Sequence, residues 1–84
     1  MTIRKRLEKR LYENGLFEDQ ASAVVTHFEN SPLGEPMRGG RLDEEESEYP
    51  SQLMAALWMS VRAAAVEWID ANKPKHWARS VFAS

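Results

Sequence analysis

Two histidines, a run of carboxylates and a crowded basic segment are the groups here with chemistry to offer. His27 lies one position off an apolar helical stripe, and His76 stands between Lys75 and Trp77. A zinc site needs ligands repeated at fixed spacing, as in H-E-x-x-H, and neither histidine has such a mate. Both read as structural. Asp43, Glu44, Glu45, Glu46 and Glu48 would attract a divalent cation, because hard cations take oxygen ligands. The run lacks the alternating ligand pattern of a calcium loop, so no metal site is expected. Gly34, Gly39 and Gly40 lack the spacing and the preceding strand of a phosphate-binding loop, and no G-x-S-x-G occurs. With no cysteine in the chain, disulfides and thiolate metal sites are excluded. No catalytic residue and no cofactor is assigned, and the expectation is a protein that is not an enzyme.

What remains is binding. Net charge is only −2, yet it is unevenly spread. Arg4, Lys5, Arg6, Lys9 and Arg10 crowd the first segment, and the acidic run occupies residues 43–48. Charge runs are mostly solvated faces, and these two attract each other, within one chain or between two. Nucleic acid is the alternative partner, with Arg4, Lys5, Lys9 and Arg10 neutralising phosphates. A typical nucleic-acid domain is basic overall, and the acidic run opposes that here. Tryptophan is over-represented among interface anchors. Trp77 and Phe82 on the last segment, together with Tyr49 and the acidic residues Asp43, Glu44, Glu45, Glu46 and Glu48, therefore form the candidate partner surface.

The elements that must position these groups are helical. Residues 51–72, SQLMAALWMSVRAAAVEWIDAN, are the longest periodic stretch. They predict one helix of about six turns, about 33 Å at 1.5 Å per residue. Met54, Trp58, Val61, Ala65 and Trp68 share one face with Ile69 beside it, and Leu53, Leu57, Ser60 and Ala64 make a second stripe. A helix apolar over so much of its circumference is expected to lie centrally, touched from two sides, with its indoles in the core. Ser51 suits its start; Asn72 and Pro74 suit its stop. Arg62, Glu67 and Asp70 interrupt it, so it is no membrane span.

A first helix is predicted over 2–13, with Ile3, Leu7 and Leu11 on one face and Asn14-Gly15 as its stop. A second is predicted over 18–29, with Ala21, Val24, Val25 and Phe28 facing inward and Glu18 and Asp19 at its positive end. Residues 30–50 hold Pro32, Pro36, Pro50, Gly34, Gly39 and Gly40 and read as a long acidic loop, the most mobile part, with Leu33, Met37 and Leu42 pinning it. Residues 73–84 read as a tail in which Trp77 and Val81 allow a short helical turn. The expected fold is all-α, one domain over 1–84: a small bundle of three helices plus a short C-terminal helical turn. The basic N-terminus has no apolar stretch behind it, so no signal peptide is expected, and a cytoplasmic setting fits the absence of cysteine.

Several stretches carry a resemblance. They are Leu57-Trp58-Met59-Ser60-Val61-Arg62, Val66 through Pro74, the opening Ile3-Arg4 through Leu11, the corner Asn14-Gly15-Leu16-Phe17, and Tyr49-Pro50. On these residues the chain resembles a family of short uncharacterised proteins encoded by tailed phages and prophages. The resemblance implies a non-enzymatic binder of a host protein in the bacterial cytoplasm. Inhibitors of bacterial defence, such as anti-CRISPR proteins, belong to that class. Three readings follow in order: a protein-interaction module, a nucleic-acid-binding accessory protein using the first helix, and a structural homodimer whose acidic loop meets the basic helix of its mate.

Overall fold

The computed structural model describes residues 1–72. They form three α-helices: α1 (Ile3–Glu13), α2 (Glu18–Asn30) and α3 (Ser51–Asn72). Between α2 and α3 lie three short 3-10 helices, Pro32–Met37, Arg41–Asp43 and Glu46–Glu48. The fold is all-α. Extended pairing among the described residues is an isolated antiparallel bridge between Thr2 and Glu45. The C-terminal turn expected over 73–84 lies outside the described residues.

Local chemistry sets the helix ends. Thr2 Oγ1 accepts a hydrogen bond from the Lys5 N–H at 3.2 Å, which caps α1. At the other end Gly15 takes φ 109°, a left-handed conformation that costs glycine little. The Leu16 N–H then reaches the Leu11 carbonyl at 3.2 Å and the Gly15 N–H the Tyr12 carbonyl at 2.9 Å. This doubly bonded stop turns Leu16 inward beside Leu11, and both are buried. In α2 the Gln20 side chain accepts from the Phe17 N–H at 3.1 Å. Its last carbonyls are met from outside. Arg38 donates through Nε to the Glu29 carbonyl at 2.9 Å and through Nη2 to the Ser31 carbonyl at 3.0 Å. Carbonyls at a helix end have no partner within the helix, so this arginine completes α2.

The core is drawn from every segment. Ile3, Leu7 and Leu11 come from α1; Ala21, Val24, Val25 and Phe28 from α2; and Trp58, Val61, Ala64, Ala65 and Ile69 from α3. Met37 and Leu42 enter from the connecting segment, as expected, whereas Leu33 stays exposed. Each fully buried large side chain contributes about 1.5–3 kcal/mol by leaving water. Residues 31–50 are not one open loop: three turns and two buried side chains shape them.

The central position belongs to α2. It packs against α1, against α3 and against the Pro32–Met37 turn. The expectation of a central α3 touched from two sides is thus corrected. One side of α3 is buried as predicted, with Met54, Leu57 and Trp68 packed at its margin. Its far side carries Ala56, Met59, Ala63 and Val66, all exposed. A high apolar content signals that a helix has more than one contact face; it does not say that the same domain covers them all.

One close approach fixes the connection. A Cβ built on Gly34 would lie 1.9 Å from the Phe28 carbonyl oxygen, so the Pro32–Met37 turn rests directly on the backbone of α2. Gly39, at φ +81°, has nothing within 4 Å of the corresponding position. Gly34→Ala is expected to cost about 3 kcal/mol, the upper end for forcing an atom into a packed site. Gly39→Ala should cost only the left-handed penalty of about 1–2 kcal/mol. Urea midpoints of the two variants give the comparison, and equal losses would contradict the close packing at Gly34.

Candidate functional site

The basic and acidic runs meet each other. Arg4, on α1, donates from Nη2 to both carboxylate oxygens of Glu29 on α2, each at 3.0 Å, and from Nε to Asp43 at 3.2 Å. Arg6 pairs with Glu46 at 3.4 Å, and the Met1 ammonium with Glu45 at 2.9 Å. Backbone bonds reinforce the contact: the Ile3 N–H reaches the Glu44 carbonyl at 2.9 Å, and the Glu46 N–H the Met1 carbonyl at 3.1 Å. Glu44 in turn accepts from the Tyr49 hydroxyl at 3.0 Å. The acidic segment is therefore a strap laid across the start of α1. The attraction read from the sequence acts within one chain, and Glu48 alone of the five carboxylates makes no such contact among the described residues.

This arrangement reshapes both charged candidate surfaces. Of the proposed phosphate-binding residues, Arg4 is engaged twice, and Lys5 lies 3.6 Å from Glu8. Arg10 lays its guanidinium over the Trp58 ring, 4.5 Å from the centroid. Such a contact stabilises by about 0.5–1 kcal/mol at an exposed site. Lys5 and Lys9 share an open groove of about 600 Å³ with Glu8, Glu18 and Asp19. Interleaved signs leave little net field for a polyanion. A second groove, about 410 Å³, runs between α1 and α3 and is lined by Arg6, Arg10, Tyr49, Met54 and Trp58. Of the aromatic candidates, Tyr49 is half-buried and packs against the core. Trp77 and Phe82 lie outside the described residues. Among the described residues no group of three His, Asp or Glu side chains is placed to hold a metal ion, and no helix is long and apolar enough to cross a membrane. His27 sits 3.4 Å from Glu67, joining α2 to α3.

The surface that the charges do not account for is the outer face of α3. On that face Met59 is 62% exposed and Val66 44%, with the exposed Ala56 and Ala63 between and beside them. Apolar residues grouped on one helix face stand apart from the singly scattered ones of an ordinary surface. The sequence reading missed it, although the signal was there. Ala56, Met59, Ala63 and Val66 recur at spacings of three and four, opposite the stripe that forms the core.

The strap has measurable consequences. Arg4 and Glu29 are each about three-quarters shielded, between the exposed pairs that contribute little and the buried ones that matter most. Arg4→Met is expected to cost about 1–2 kcal/mol by denaturant unfolding, and Glu29→Gln in the same chain should recover part of it, since the stranded charge is then gone. Hydrogen bonding to Glu45, with its charge, raises the Met1 ammonium pKa above its ordinary 8.0, and hydrogen bonding to Glu44 raises the Tyr49 phenol above its ordinary 10.0. In both groups the folded state holds the proton more tightly. Their stabilisation is fully present below those ordinary values and is lost as pH rises through the folded ones. The unfolding midpoint should therefore fall as pH rises above about 8 and again above about 10, and Tyr49→Phe should flatten the upper part of that fall. Compared with protein-family models, curated proteins and solved structures, the chain matches none.

Proposed function

We propose that this chain is a small protein-interaction module that acts by occupying a surface of another protein, with the outer face of α3 as its contact. The observation that carries the reading is the exposure of Met59 and Val66, with Ala56 and Ala63, on the side of α3 opposite the one committed to the core. The charged runs support it indirectly, because Arg4 and Arg6 are engaged by Asp43 and Glu46. In the setting implied by the resemblance to tailed-phage and prophage proteins, the partner is a host protein. Inhibition of a bacterial defence factor, in the manner of anti-CRISPR proteins, is then the biological outcome.

An apolar contact and a charged one respond to salt in opposite ways. At roughly 1 M salt the screening length falls to about 3 Å, which removes surface electrostatics and leaves apolar burial intact. Capture from a bacterial lysate should retain the partner at that salt and lose it with Met59→Glu, a substitution at a site more than half exposed that leaves the core untouched. Capture that disappears on raising salt and is insensitive to Met59→Glu would return the function to the charged surfaces.

A further inference from the structure

We propose that the outer face of α3 pairs with the same face of a second copy of this chain, antiparallel and about a two-fold axis at the level of Val61. The inference rests on the reading of that face as a contact surface and names one occupant for it. Gln52, Ala56, Met59, Ala63, Val66 and Asp70 follow one another at spacings of four, three, four, three and four. That is the repeat of a coiled-coil seam, and it runs about 27 Å along the helix at 1.5 Å per residue. The seam lies opposite the buried Trp58, Val61 and Ala65, and its residues are exposed among the described residues.

The sequence of the seam is complementary to its own reverse. With the axis at Val61, Met59 faces Ala63 of the second copy, Val66 faces Ala56, and Gln52 faces Asp70 at each end. Every apolar layer then sets one large side chain against one alanine, which is how two helices fill a seam at close spacing without voids. The polar ends meet as amide and carboxylate, which hydrogen-bond; a parallel pairing would set Asp70 against Asp70 and alanine against alanine, with repulsion and gaps. A two-fold interface requires one patch to complement itself, and this one does.

One border of the seam carries Arg62, which lies beside Arg62 of the second copy; the other carries Ser60 beside Ser60. High salt screens charge and leaves apolar burial intact, so pairing should persist as salt is raised, the reverse of a dimer held by the acidic strap and the basic helix. A single helix from each copy buries less than the roughly 1,200 Å² of a standard interface, so the dimer is weak, with a dissociation constant on the order of 100 µM. Self-pairing and docking of another protein then exclude each other on one face, and concentration sets which form is present.

The chain has no cysteine, so introduced thiols report unambiguously. Sedimentation equilibrium of the full chain, from about 10 µM to about 1 mM, should show the mass climbing from 9.6 kDa toward twice that value, at low and at high salt alike. Met59→Glu should abolish the rise while leaving helicity and unfolding midpoint unchanged. Orientation is read from a mixture of two single variants, Ala56→Cys and Val66→Cys. Under mild oxidation the 56–66 disulfide should dominate by at least several-fold over 56–56 and 66–66. Thiol labelling of Met59→Cys should slow as protein concentration rises. A mass fixed at the monomer value across the range overturns the proposal, as does a predominance of same-residue disulfides. So does labelling that is slow at every concentration, which would mean that residues 73–84 cover the face. A monomer whose lysate capture is still lost on Met59→Glu would refute the pairing alone and leave the proposed function standing; a dimer that captures nothing would do the reverse.

Discussion

Arg4 is the junction on which the rest of the described structure closes. Its guanidinium reaches α2 through Glu29 and the connecting segment through Asp43, from the second residue of α1. Three pieces of chain far apart in sequence are tied at one planar group, which suits arginine because its donors are fixed in a fork. A lysine at that site would supply one point charge and could not grip Glu29 and Asp43 with the same geometry. Around this junction the remaining carboxylates fall into register: Glu45 on the Met1 ammonium, Glu46 on Arg6, Glu44 on Tyr49. Each of these outer contacts is exposed and individually weak. Their collective effect is to hold a segment rich in glycine and proline against α1, where Leu42 can be buried beneath it.

This closure explains how a short chain obtains a continuous core. A domain of this length buries a modest fraction of its surface. Two helices alone would leave one side of α2 and the edge of α1 wet. The strap covers α1, the Pro32–Met37 turn covers the end of α2, and α3 covers α2's remaining side. Gly34 and Arg38 make the second of these contacts feasible. Gly34 removes the one atom that would hold the turn away from the Phe28 carbonyl, and Arg38 ties the turn to α2 by donating to the Glu29 and Ser31 carbonyls.

The helices and their ends were legible because short-range chemistry determines them. Thr2, Gly15 and the carboxylates at the start of α2 act within a turn of where they sit, so α1 and α2 begin and end within about one residue of expectation, and α3 begins where expected. Long-range facts were not legible. Periodicity identified the face of α3 with Trp58, Val61 and Ala65 as buried, but it could not say what covers the opposite face, because an apolar residue has the same pattern signature under a neighbouring helix as under water. The 3-10 turns of residues 32–48 have no periodic signature at all. The pairing of the acidic and basic runs was readable as an attraction, and only the fold could assign it to one chain. Arg38 carried no signal, since an arginine that bonds backbone carbonyls looks like any surface cation.

The composition of α3 itself bears on whether its outer face is incidental. Alanine at 56 and 63 needs no functional explanation, because it is the strongest helix former. Met59 and Val66 are different. At an exposed helical position glutamate, lysine or glutamine would favour the helix as well or better and would bind water. Valine there loses rotamer freedom against the preceding turn and also exposes an apolar surface. On α3 these two departures from local preference fall on one line, seven residues apart. Such departures concentrate where a protein meets something else, which is why the high apolar content of α3 is proposed to be the sum of a core face and a contact face.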